Sequence, residues 1–341
     1  MAHYDLALLG FGNVGRALAR LLLRKQAELK EIYQLSFAFT AIATSRHGAA
    51  IDPRGLDIHR ALELVEAGGS LAALSTRPAP GDMLEFIRAS GADVLFENTP
   101  VNYETGQPAV DHLRTALENG MHAITANKGP VVHAYRSLSD LAAAKGVKFF
   151  HEAAVMDGAP IFSLFRGALP AARLLSLRGV LNSTTNLILT RMEQGESFDA
   201  AVKYAQSIGI AETNPSGDID GWDAAVKVAA LVTVLMGTPL NPAKVDRTGI
   251  RSITPQLIEQ ARVQDKRWKL VCSARHTEAG IQARVAPEMV GRESPLYSVE
   301  GTTSIVQFET DVLGLLSVVE SDPGPQTTAY GLLADFLNAV V

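Results

Sequence analysis

Between Gly209 and Ala229 the chain reads GIAETNPSGDIDGWDAAVKVA, which sets Glu212, Asp218, Asp220, Asp223 and Lys227 at the entrance to, and inside, a strongly apolar stretch. From Trp222 to Met236 nearly every other residue is Ala, Val or Leu, so the pattern predicts a helix that is apolar almost all round and largely buried. A charge in such a place is expensive unless it is paired. Asp223 and Lys227 stand at i and i+4 and share one face of that helix. Two readings stand side by side. One is an ordinary surface ion pair worth roughly 0.2–0.5 kcal/mol. The other is a pair facing a polar cavity, where an ammonium taken out of water gives up its proton more readily and can act as a general acid. The apolar surroundings favour the second.

A different chemistry is written at the other end. Leu6 to Leu9 predicts a short buried strand, followed at once by GFGNVG and the helical run RALARLLLRK. Gly10, Gly12 and Gly15 suit a tight turn, a close approach of backbone to pyrophosphate, and close packing of helix on strand. Asn13 and Val14 would open that helix and offer free N–H groups and a positive dipole end to phosphates. The plainer reading, a simple strand-to-helix turn, is weakened by the strand before and the amphipathic helix after. At the end of the next strand candidate stand Thr44, Ser45 and Arg46, where an NAD site usually offers a carboxylate to the ribose. A guanidinium and small hydroxyls suit a 2′-phosphate, so NADPH is expected to be used at least as well as NADH.

Elements that position these groups can be read from the alternation of apolar strands (LALL, LSFAFTAIATS, DVLFE, HAIT, VKFFHEA) with helices at Arg16–Arg24, Met83–Ala89, Pro108–Glu118 and Ala134–Lys145. That alternation predicts an α/β, Rossmann-like, doubly wound parallel sheet over residues 1–150, with its ligand crevice at the C-terminal strand ends. Asn98, Thr99 and Pro100 follow one strand there, and Asn127 and Lys128 the next. Residues 151–320 change character, with helical patterns from Thr185 to Met236 and then strands at RWKLVCSA, GIQARVA, TSIVQFET and LLSVVE. These alternate polar and apolar residues, which predicts an α+β domain with an antiparallel sheet covered on one face. Residues 321–341, which include DPGPQTTAYGLLADFLNAV, are expected to form a helix returning to the first domain.

Composition bounds the partners. A net charge of −5 with both signs interspersed gives no stripe for nucleic acid and no polybasic anchor for a membrane. MAHYD lacks the features of a secretory signal, and the apolar run ending at Met236 is interrupted by Lys227 and too short to span a bilayer. The single cysteine, Cys272, lies in the strand candidate WKLVCSARH and reads as a buried, inert thiol. A cytoplasmic enzyme is expected. No His or Cys spacing suggests a transition metal.

Taken in order, GFGNVG, TANKGP, HEAAVMDGAPIF, RGVLNSTTN, GIAETNPSGDIDGWDAAVK and DPGPQTTAYGLLADF strongly resemble homoserine dehydrogenases over nearly the whole chain. The resemblance implies reversible NAD(P)-dependent interconversion of L-homoserine and L-aspartate 4-semialdehyde, in the branch leading to threonine and methionine. It implies the short form, without a regulatory ACT domain or a fused aspartate kinase, and a homodimer built on the second domain. By motif it makes Lys128 and Lys227 the catalytic candidates; Lys227 is taken as the proton donor and Lys128 as its electrostatic partner, with the reverse assignment open, and Asp223 would orient Lys227 or bind a polar end of the substrate. Glu212 would take the substrate ammonium, and Asp218 with Asn182, Ser183 and Thr184 would bind its polar ends. Gly324 and Thr328 would join the cofactor site. A sodium or potassium ion would be held by Glu152 and backbone at Val155, Asp157 and Ala159, although Met156 and Asp157 replace a glycine-rich segment of the family, and Ile210 a commonly aromatic position. Two alternatives stay open: another NAD(P)-dependent amino-acid or aldehyde dehydrogenase, and a non-catalytic NADP-binding sensor.

Overall fold

The computed structural model describes residues 1–341, which fold as two compact units: Met1–Pro160 together with Gly324–Val341, and Ile161–Pro323. The first begins with β1 (Ala2–Leu9), α1 (Asn13–Ile32), β2 (Leu35–Thr44), β3 (Gly48–Ile51), α2 (Ile58–Glu66) and α3 (Met83–Ala89). It continues with β4 (Val94–Glu97), α4 (Ala109–Glu118), β5 (His122–Thr125), α5 (Lys128–Lys145) and β6 (Phe149–Phe150). Strand order is β3-β2-β1-β4-β5-β6, parallel throughout except for β3. The order reverses between β1 and β4, and that switch point opens the crevice where such sheets bind ligands.

β1 shows why two helical layers form. Its side chains alternate across the sheet. Leu6 and Leu8 join a core with Leu18 and Leu22 of α1 and with Leu332 and Phe336 of the C-terminal helix Pro325–Val340. Ala7 and Leu9 join another with Phe86, Leu113 and Leu138 of α3, α4 and α5. Phe336, fully buried, meets Phe96 and Tyr4 edge-on, each with ring centroids 6.0 Å apart. Burial of a ring of this size contributes roughly 2–3 kcal/mol. β3 departs from the all-parallel expectation: β2 turns through Ser45–His47 and comes back antiparallel, with Thr44 opposite Gly48. Thr44 Oγ1 accepts from the His47 N–H at 2.7 Å and fixes that turn.

The second unit holds β7 (Leu174–Val180), α6 (Ser183–Glu193), α7 (Phe198–Ser207), α8 (Ser216–Ile219), α9 (Trp222–Leu235), β8 (Asp246–Arg247) and α10 (Pro255–Val263). β9 (Lys266–Thr277), β10 (Gly280–Gly291), β11 (Ser304–Thr310) and β12 (Gly314–Glu320) complete it. Its sheet runs β12-β11-β7-β9-β10-β8, antiparallel but for β8 on β10. Coverage on one face only, the sequence expectation, fails at the centre. Lys269, Leu270, Val271 and Cys272 are all buried in succession. α9 packs against β9 and β10, while Leu296 and Val299 cover Val271 from the segment before β11.

Lys269 is consequently a fully buried ammonium site. Its Nζ donates to Asn186 Oδ1 at 3.1 Å and to Val299 O, and Asn186 Nδ2 bonds the carbonyls of Gly301 and Thr303 at 3.1 and 3.2 Å, pinning this loop to α6. Burial outweighs the nearby Glu193 carboxylate and pushes the lysine from 10.5 down to about 8. Between these two values the unfolded chain holds a proton that the folded chain has released, so stability rises with pH through that window and is lost as pH falls through about 8. Thermal melts across that window are expected to show a rising midpoint in the wild type and a flatter profile in Lys269→Met.

Candidate active site

The first unit builds its crevice from the turns that follow β1, β2, β4 and β5. Gly10 has φ +87°, and a Cβ there would lie 2.4 Å from Asn98 O. At Gly15 a Cβ would lie 2.2 Å from Gly10 O, whereas at Gly12 it would meet nothing within 4 Å. So two glycines close the turn and one leaves its backbone open to an approaching ligand. Asn13 and Val14 open α1, which no side chain caps, so its first N–H groups remain available at the positive end of the helix dipole. Ser45 and Arg46 are exposed on the β2–β3 turn.

At the end of β4, the Asn98 N–H donates to Leu9 O at 2.8 Å, while both polar atoms of the Asn98 side chain are buried without a hydrogen-bond partner. Orphaned polar atoms are rare in folded proteins, and a carboxamide of this kind suits a ligand that completes it. Thr99 and Pro100 follow on the same turn. After β5, Asn127 caps α5 by accepting from the Gly129 N–H at 3.0 Å, and Lys128 is the first helical residue. Gly324 starts the C-terminal helix, and Thr328 donates to its carbonyl at 2.9 Å.

Glu152 is buried, and its N–H donates to Asp335 Oδ2 at 2.6 Å. Val155 is buried beside it. The Asp157 carboxylate is engaged in capping the C-terminal helix, accepting from the Gly324 N–H at 2.7 Å and Thr327 Oγ1 at 3.0 Å. The Ala159 N–H donates to Met156 O at 2.8 Å. One carboxylate and main-chain carbonyls are hard oxygen donors that fit an alkali ion. No group of three or more His, Cys, Asp or Glu residues forms a metal cluster.

The second unit holds the charged constellation. Lys227 Nζ lies 3.1 Å from Asp223 Oδ2 and donates to Leu181 O at 2.6 Å; the two side chains are only 14% and 11% exposed. An ammonium has three N–H donors, so one remains for a ligand. Asn182 ties the acids together: its Nδ2 donates to Asp218 Oδ1 at 2.6 Å and to Asp223 Oδ2 at 3.0 Å, while its Oδ1 caps α6 by accepting from the Thr185 N–H at 2.8 Å. Burial, and next the Asp223 charge, raises the Asp218 carboxyl above its ordinary value. Ser183 opens α6, and Thr184 Oγ1 donates to Ile210 O at 3.3 Å.

Not every predicted group joins this cluster. Glu212 is exposed, and its carbonyl accepts from Gln206 Nε2 at 3.1 Å. Asp220 is held instead by Arg251, whose guanidinium lowers its carboxyl below the ordinary range. Cys272 is fully buried and its thiol is pushed up to about 12, so it offers no nucleophile for an acylating reaction. The sequence reading missed the part played by Glu97, a fully buried carboxylate at the end of β4. Its only signal was an acid closing an otherwise apolar strand.

Comparison with known proteins covers both units. Residues 10–152 match the family profile of the homoserine dehydrogenase NAD-binding domain, and residues 160–337 that of homoserine dehydrogenase. The chain is 38% identical to a homoserine dehydrogenase of Methanocaldococcus jannaschii, over 98% of each chain. It is 34% identical to an NAD(+)-dependent homoserine dehydrogenase of Pseudomonas canavaninivorans, over 99% of this chain and 96% of the other. Among solved structures, a hyperthermophilic archaeal homoserine dehydrogenase in complex with NADPH superposes with a TM-score of 0.85 at 28% identity, over 99% of this chain and 98% of the other.

Proposed function

The chain belongs to the homoserine dehydrogenase family, NAD(P)-dependent oxidoreductases acting on a CH–OH group, and we propose that Lys227 is the residue that moves the proton in this reaction. The observation that carries the assignment is its ammonium, nearly buried, fixed by Asp223 and Leu181 O, with one donor left over. The substrate pair is L-homoserine and L-aspartate 4-semialdehyde. A bound nicotinamide supplies or accepts the hydride. In the reductive direction Lys227 protonates the alkoxide that develops on the former aldehyde oxygen; in the oxidative direction it takes that proton back. Lys128 supplies a second positive charge, which stabilises the alkoxide. Asp218, Asn182, Ser183 and Thr184 bind the polar ends of the substrate, and Glu212 takes its ammonium.

Gly10, Gly12, Asn13, Val14, Gly15, Asn98, Thr99, Pro100, Gly324 and Thr328 hold the dinucleotide, and the exposed Arg46 with Ser45 receives the 2′-phosphate. NADPH is thus the expected preference, with NADH also used. NADPH consumption with L-aspartate 4-semialdehyde tests the function. Arg46→Ala should lower kcat/KM for NADPH by about tenfold, the worth of one charge-assisted contact, and leave that for NADH unchanged. A wild type markedly more efficient with NADH would refute the preference.

Glu152 with the carbonyls of Val155, Asp157 and Ala159 would hold sodium or potassium, which orders this segment. The assembly we favour is a homodimer through β12, an edge strand whose Leu315 and Val319 are 63% and 55% exposed, with Val312 and Leu313 beside them. Exposed apolar edges of this kind are normally covered. No helix is long and apolar enough to cross a membrane. A cytoplasmic enzyme of the route to threonine and methionine is the setting that fits.

A further inference from the structure

Glu97 raises a question that the reaction leaves unanswered, because a fully buried carboxylate is costly unless several donors serve it. Its Oε1 accepts from the Thr99 N–H at 3.1 Å and from Thr99 Oγ1. Thr125 Oγ1 lies 3.1 Å from Oε2 and 2.8 Å from the Glu97 carbonyl, and His112 Nδ1 faces Oε1 from α4 at 3.7 Å. The pattern continues through Asn127. Its N–H donates to Thr125 Oγ1 at 2.9 Å, and its Nδ2 donates to Thr99 O at 3.2 Å. Glu97, Thr99, Asn127 and Thr125 therefore close a ring of hydrogen bonds across the turns that follow β4 and β5. Asn98 sits within one of those turns, and Lys128 comes directly after the other.

We infer that Glu97 is a positioning residue: its carboxylate sets the spacing of the two crevice turns and so places both the Asn98 carboxamide and the Lys128 ammonium. It touches neither substrate nor cofactor. The inference rests on the assignment of these turns to the cofactor and of Lys128 to catalysis.

Glu97→Gln tests it against a purely structural role. A carboxamide can still accept from Thr99 at its oxygen and donate to Thr125 Oγ1 at its nitrogen, while the Thr125 hydroxyl turns to the Glu97 carbonyl. The ring survives in the amide and is lost in Glu97→Ala. In folded Glu97→Ala, the NADPH dissociation constant, read by nicotinamide fluorescence, should rise about tenfold and kcat fall by about ten- to a hundredfold, as for displaced reacting groups. Glu97→Gln should restore both to within about threefold of wild type. Should Glu97→Ala not fold, Thr125→Val, at a residue assigned to neither substrate nor cofactor, opens the same ring from the other side. Lower thermal stability with unchanged dissociation constant and kcat in either opened ring would overturn the inference. A Lys128→Ala variant with full turnover would instead remove the catalytic assignment of Lys128, and the NADPH dissociation constant would still decide whether Glu97 places the turn at Asn98.

Discussion

Lys227→Ala should lower kcat for reduction of L-aspartate 4-semialdehyde by about 10²–10⁴-fold, the usual worth of a positioned general acid, while the NADPH dissociation constant stays near wild type. The cofactor is assigned to residues of the other unit, so loss of this one lysine leaves the residues that bind it intact. Charge and proton must also be separated. Lys227→Arg keeps a cation beside Asp223 but cannot give up a proton near neutral pH. If Lys227 moves the proton, arginine is nearly as poor as alanine; if it only stabilises the alkoxide, arginine recovers much of the rate. Loss of the lysine has a second consequence. Asp218 and Asp223 both accept from Asn182 Nδ2, and without the ammonium 3.1 Å from Asp223 they face each other uncompensated. Asp218, already raised by burial and by Asp223, is expected to move further upward in Lys227→Ala, which carboxyl titration by NMR can follow. An alanine variant within about tenfold of wild-type kcat would refute proton transfer through this residue.

The pair at Asp223 and Lys227 was legible because four residues of helix bring two side chains together whatever the rest of the chain does. Asn182, which joins Asp223 to Asp218, was legible only as a family position. Its partners lie 41 and 36 residues away, and no local pattern encodes that meeting. The same division runs through the fold. Alternation in β1 and the glycines after it anticipated a strand, a turn and a helix, each governed by near neighbours. β3 escaped, since GAAI is short, weakly apolar and preceded by no strong hairpin turn signal. β7, LLSLRGV, also escaped: it is placed by pairing with β9 and β11, distant strands that its own residues do not announce. Lys269 misled for a related reason. A lysine in an alternating strand implies a wet face, but the Val299–Thr303 loop covers that face and supplies a carbonyl to the ammonium. Local spacing revealed the groups that act within one element, and hid those whose partners arrive from elsewhere.

Gly15→Ala and Gly12→Ala should fail in opposite ways, although the two positions lie three residues apart in one motif. A methyl at Gly15 would lie 2.2 Å from the Gly10 carbonyl oxygen, a backbone atom that cannot swing aside as a side-chain tip can. Gly10 cannot yield easily either: its φ of +87° and the Asn98 carbonyl, 2.4 Å from where its own Cβ would be, hold it from the other side. The start of α1 must therefore move off the sheet. Overpacking of this kind costs roughly 1–3 kcal/mol or more, against the ~1 kcal/mol that alanine returns over glycine within a helix. A lower melting temperature should accompany the loss of NADPH binding. At Gly12 nothing lies within 4 Å, so the same methyl clashes with nothing, and the unliganded protein loses only the modest preference for glycine over alanine at a helix N-cap, about 1 kcal/mol or less. What it obstructs is the space above the uncapped helix start, where pyrophosphate would meet the backbone, and the NADPH dissociation constant should rise by at least about tenfold through the loss of charge-assisted backbone contacts. Melts without nucleotide and titrations with it read the two effects apart. Unchanged NADPH affinity in Gly12→Ala would remove the dinucleotide from this turn, however well the glycines explain the packing of α1 on β1.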